Sequence, residues 1–134
     1  MQYRPTQEEL LLAIADFIEQ DVRPQLSGDK ALSFRCLIAA NLARMCVLER
    51  RMEEWHDGLE LAALSALGVD GAQGDEVPAT KEARTDLLQS LNARLSATIA
   101  DGSADPTAAA AALRTVLKGR LGVTNPRFDT EFGW

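Results

Sequence analysis

Aromatic residues make up only 5% of these 134 residues, histidine occurs once and cysteine twice. A core short of rings must be built from Leu and Ala, both strong helix formers, and runs that alternate Val, Ile, Thr and Tyr in strand fashion are missing. The expectation is an all-α protein. Cys36 and Cys46 fall on one expected helix, about 15 Å of rise apart, so they do not pair with each other. Metal-ligand spacing around them is also lacking, and they read as inert thiols in a reducing compartment. No glycine-rich phosphate loop, Ser-His-Asp order or paired-cysteine motif is present, so no cofactor is expected and the reading leans away from an enzyme.

Basic residues are in the minority, 14 against 20 acidic ones, for a net charge of -6. Such a field repels phosphate backbones and anionic head groups, so neither nucleic acid nor a membrane is an expected partner. The stretch from Met1 to Glu9 is polar and offers no signal core, and no segment is an uninterrupted apolar run of spanning length. A cytoplasmic location is expected. Hydrophobic residues at 46% and charged residues at 25% are ordinary for a folded chain. The length fits one domain, 1–134.

Helical spacing organises most of the chain. Thr6 and Glu9 form a capping box, after which Leu10, Leu11, Ile14, Phe17, Ile18 and Val22 keep a helical period that Pro24 ends. After the turn at Ser27-Gly28-Asp29, the longest helix is expected over about 30–55. Along it Phe34, Ile38, Asn41, Met45, Leu48, Met52 and Trp55 recur at alternating steps of four and three, a heptad seam with one polar member. Arg44, Arg51 and Glu54 fall opposite the seam, on an expected solvated face. Asp57-Gly58 is expected to break the helix before a short one at about 59–67, stopped by Gly68. A flexible loop over about 69–78, a helix over about 80–100 and another over about 106–121 behind Asp105-Pro106 follow. A tail occupies about 123–134. The architecture expected is a bundle of four to five helices around the seam helix.

Candidate functional residues are few. Asn41 has two readings: a buried amide bonded to a neighbouring helix, with its backbone or Asn92 or Arg94 as partner, or the floor of a ligand pocket. Arg127, in the turn Asn125-Pro126-Arg127-Phe128, is the second candidate ligand contact. His56 lies three residues after Glu53, the spacing of di-iron carboxylate bundles, and Glu49 and Glu60 extend that face. Only one such unit is present, so Glu53 and His56 are weak metal candidates and no metal is expected. Arg51 and His56 also have an Arg-x4-His spacing, but the acidic neighbours Glu53 and Glu54 oppose an RNA backbone. A homodimer is compatible with apolar surface left on the Ala-rich last helix or the tail.

Three stretches, Arg4-Pro5-Thr6 with Glu9-Leu10-Leu11, Ala39-Ala40-Asn41 with Glu49-Arg50, and Asn125-Pro126-Arg127-Phe128, resemble a small bacterial family of unknown function. Its members are often encoded beside an aminoglycoside-phosphotransferase-like protein and an acyl-CoA dehydrogenase. The resemblance implies a non-catalytic accessory or interaction protein with one of these as partner, and it supplies no catalytic residues. The alternative is a small-ligand binder or enzyme with a pocket near Asn41.

Overall fold

The computed structural model describes residues 3–72 and 76–125. Four α-helices account for most of them: α1 (Gln7–Asp16), α2 (Lys30–Ala66), α3 (Lys81–Ala100) and α4 (Pro106–Thr124), with no strand among the described residues. The all-α expectation holds. The chain divides into two compact units, Met1–Arg51 and Met52–Trp134, and α2 contributes its first part to one and its last part to the other.

In the first unit the capping box forms as expected. Glu9 donates its backbone N–H to Thr6 Oγ1 at 3.2 Å, and Thr6 N–H reaches the Glu9 carboxylate at 2.7 Å. Past Asp16 the helix continues as one wide π turn, Phe17–Val22, then tightens to a 3-10 turn over Arg23–Leu26 where Pro24 removes a donor. Asp29 caps α2, its Oδ1 accepting from Leu32 N–H at 2.9 Å.

The buried positions of this unit are Ala15, Ala40 and Val47. This corrects the expected seam. Phe34 is 60% exposed and Ile38 42%, Asn41 is exposed, and only Met45 and Leu48 are half-buried. The face of α2 turned to α1 is instead the one judged solvated. Arg44 bonds Asp16 at 3.0 Å and pairs with Glu19, while Arg51 meets Glu8 at 2.8 Å. Periodicity marks an apolar stripe without saying whether the same chain covers it, and here long arginines over small residues supply the contact with α1.

In the second unit α2 does not break at Asp57-Gly58. It runs to Ala66. A helical glycine costs only about 1 kcal/mol, and Asp57 is held by cations from α3 and α4, so tertiary contacts outweigh the local breaker. Gly68, at φ 70°, then ends the helix. Val69 N–H bonds the Leu64 carbonyl and Gly68 N–H that of Ser65, a Schellman pair, with Leu64 and Val69 both buried. The core gathers Leu61, Leu64, Leu88, Leu91, Leu95 and Ala109. The loop after α2 joins it at Val69 and Ala72, so its first part packs where a flexible stretch was expected. Thr80 caps α3, and Asp105 caps α4 as its place before Pro106 predicts. α4 continues to Thr124, past the expected end, because Val123 is itself buried.

Candidate functional site

The chemistry-bearing side chains collect in the second unit, where the continuous α2 sets Glu53, Asp57 and Glu60 on one helical stripe. Across from them α3 offers Thr85, Gln89 and Asn92 at the same helical period, and α4 sends in Arg120. Together they line a cavity of about 430 Å³.

Asp57 and Arg84 are the buried pair at its edge. Their side chains are 10% and 7% exposed, and Arg84 Nε donates to Asp57 Oδ2 at 2.9 Å. The same guanidinium donates from Nη1 to the carbonyls of Pro78 at 3.0 Å and Ala79 at 3.1 Å, so it fastens the approach to α3 as well. Arg120 bridges the two acids of α2: its Nη2 reaches Asp57 Oδ1 at 3.4 Å and also Glu60, to which Nε donates at 3.1 Å. Burial weakens the charge on Arg120, but Glu60 and Asp57 more than offset it and its pKa is raised. Asn92 Nδ2 donates to Glu60 at 2.7 Å and to the Leu88 carbonyl at 2.9 Å. Glu53 completes the set with Lys81 at 2.6 Å. Three carboxylates thus meet three cations. An acid so engaged is a poor proton donor or metal ligand, and the cluster's evident work is to tie α2, α3 and α4 together.

His56 sits beside this cluster and faces another way. It is 8% exposed, its Nε2 has no hydrogen-bond partner, its ring meets the edge of Trp55 at 4.9 Å, and it lies against Gly119 of α4. Burial first, then the Arg120 charge, pushes its pKa below the ordinary 6.5, with Asp57 pulling the other way. The imidazole is therefore neutral near pH 7. Glu53 and His56 do not assemble a ligand set: no group of three or more His, Cys, Asp or Glu side chains suited to a metal occurs among the described residues.

Of the sequence-derived site residues, Asn41 is an exposed residue of the first unit, which overturns its reading as a buried amide. The partners suggested for it are occupied in the second unit, Asn92 with Glu60 and Arg94 with the Asp70 carbonyl at 2.6 Å. Arg127 lies outside the described residues. Sequence reasoning missed Arg84 and Arg120. A signal for Arg84 was present, since it occupies the first place of the buried stripe Arg84, Leu88, Leu91, Leu95 on α3. Arg120, at a half-exposed position, gives none.

Residues 24–128 match the model of a domain of unknown function, DUF6285. The chain belongs to this family. The matched region takes in the ion-pair cluster and the Asn41 and Arg127 stretches, whereas α1 and the Arg4-Pro5-Thr6 stretch precede it. No curated protein and no solved structure matches the chain.

Proposed function

We propose that this DUF6285 protein is a non-catalytic accessory protein that docks on a larger partner, a phosphotransferase-like protein or an acyl-CoA dehydrogenase. The observation that carries this reading is the stripe on the first unit formed by Leu10, Ile14 and Phe17, three large apolar side chains 49%, 52% and 58% exposed at successive helical turns. Single exposed leucines are ordinary, but an aligned apolar stripe running along α1 into the π turn that continues it is the form in which helices meet grooves. The engaged state of the acids and cations in the second unit supports the same reading, because those groups already serve the fold. The acidic net charge supports a partner that is not a nucleic acid.

The test is co-purification of the full chain with each candidate partner, beside a Leu10→Ser/Ile14→Ser/Phe17→Ser variant. The reading expects a complex at micromolar concentration that the variant loses while its helical circular dichroism stays unchanged. No complex with either partner, or one indifferent to the substitutions, sinks it.

A second reading has its own observation, the 430 Å³ cavity lined by Glu60, Gln89, Asn92 and Arg120, which is of a size that holds a small polar molecule. It moves the ligand pocket from Asn41 to the second unit. Acyl-CoA, nucleotides and sugar phosphates, tried in a thermal-shift screen, should raise the melting temperature if one of them binds the folded state there; a flat screen removes the support for those ligands.

A further inference from the structure

The heptad seam of α2 was expected to be the spine of this chain's own bundle, and in the first unit it is not. Phe34, Ile38 and Leu42 are each more than 40% exposed, Asn41 is exposed, and Met45 and Leu48 are half-buried. A strict alternation of steps of four and three is the pattern by which one helix packs along another nearly parallel to it. On α2 the neighbouring flank is already taken, because Arg44 and Arg51 lean onto Glu8 and Asp16 of α1 and Glu19 of the π turn after it. The other flank carries Arg35, Leu42 and Glu49 at seven-residue intervals. Arg35 and Glu49 are exposed, and among the described residues neither enters an ion pair.

We infer that this seam is the pairing surface for a second copy of the same chain, with the two α2 helices antiparallel about a two-fold axis near residue 43. Charge on the free flank points to both the occupant and the direction, while on the other flank the two Arg44 side chains near the axis are each neutralised by their own Asp16 and Glu19. In antiparallel register Ile38 packs against the partner's Leu48 and Asn41 against the partner's Met45. On the free flank the two Leu42 side chains then meet at the axis, and Arg35 lies beside the partner's Glu49, an arrangement the symmetry makes twice. Parallel pairing sets Arg35 beside the partner's Lys30, a like-charge contact, and turns Glu49 toward Arg44, whose guanidinium is already committed to Asp16 and Glu19. Asn41 takes the part of a single polar seam residue, which lowers affinity and fixes register.

A membrane is the competing occupant, since α2 is the one helix among the described residues long and apolar enough to cross a bilayer by length and composition. The charges decide against it. Arg35 and Glu49 complement each other across a two-fold axis, whereas each is a cost in hydrocarbon. In this register the stretch that pairs within the first unit, Ile38 to Leu48, is about 15 Å long, shorter than the helices of tight coiled coils, so the dimer is one that forms and dissociates in the micromolar range. The inference does not rest on the docking role of the α1 stripe, which is a different helix.

Sedimentation velocity of the full chain from about 1 to 200 µM tests it, beside Glu49→Arg and the exchange Arg35→Glu/Glu49→Arg. The expected result is a monomer–dimer equilibrium weakened about tenfold or more by Glu49→Arg and restored by the exchange, with circular dichroism confirming that both variants are folded. In a Cys36→Ser/Cys46→Ser background, Leu42→Cys should form a disulfide-linked dimer and Asn41→Cys should not. A monomer at every concentration, a dimer indifferent to the charge reversal, or a link through Asn41→Cys in preference to Leu42→Cys overturns the inference. So does co-sedimentation of monomeric protein with vesicles of equal parts phosphatidylcholine and phosphatidylglycerol.

Discussion

His56 is the residue whose surroundings give the plainest prediction. Its ring is buried, its Nε2 is unbonded, and its pKa lies below 6.5 because burial disfavours the imidazolium. As pH falls below about 6.5 the unfolded chain takes up a proton that the folded chain refuses, so stability is full above that value and is lost on acidification toward the folded pKa. Urea midpoints between about pH 7.5 and 5.5 should fall with pH, and His56→Leu should flatten that dependence by up to about 1 kcal/mol per pH unit. An unchanged slope in the variant would assign it to the carboxylates. Arg84 makes the complementary case. Replacing it with Met leaves Asp57 short of a partner and strands the Pro78 and Ala79 carbonyls, and about 3 kcal/mol of stability should go, even with Arg120 still near Asp57. Chemical denaturation checks this, and a loss below about 1 kcal/mol would mean that Arg120 and water suffice.

Among the elements, α2 shows best what the sequence made legible. Its start after Asp29, its Gly68 stop and the caps of α1 and α4 were all readable, because each depends on residues within a few positions of the backbone groups they satisfy. Its continuity through Gly58 was not, since the contacts that hold Asp57 come from Arg84 and Arg120, 27 and 63 residues away. The exposure of Phe34 and Ile38 was hidden for a related reason: a heptad tells that a face is apolar and leaves open what covers it. The candidate site fared the same way. Glu53, His56 and Glu60 were singled out as a face, but Lys81, Asn92 and Arg120, distant in sequence, engage Glu53 and Glu60 as struts, and His56 turns away from them with its Nε2 unbonded.

Two glycines put the helix packing to the test. A Cβ on Gly58 meets only Val77 at 3.5 Å, an ordinary contact, so Gly58→Ala should stabilise the protein by about 0.5–1 kcal/mol. On Gly119 it comes within 3.1 Å of the His56 ring, so Gly119→Ala should lose that benefit, and His56→Ala in the same chain should recover it in a double-mutant cycle. Additive effects would show that the ring yields freely.

Across the whole molecule, apolar residues that look alike in the sequence do different work. In the second unit Leu91 is 1% exposed and anchors the core, while in the first Phe34 is 60% exposed and awaits a contact. The central claim is that the α2 seam is surface kept for pairing and is not a spine that holds the fold. Equilibrium unfolding of Phe34→Ser beside Leu91→Ala, at protein concentrations dilute enough to keep the chain monomeric, tests it most directly. The expected result is a loss of about 2–5 kcal/mol for Leu91→Ala and a change within about 0.5 kcal/mol for Phe34→Ser. A Phe34→Ser variant as damaged as Leu91→Ala would return the seam to the core and leave no free surface for pairing.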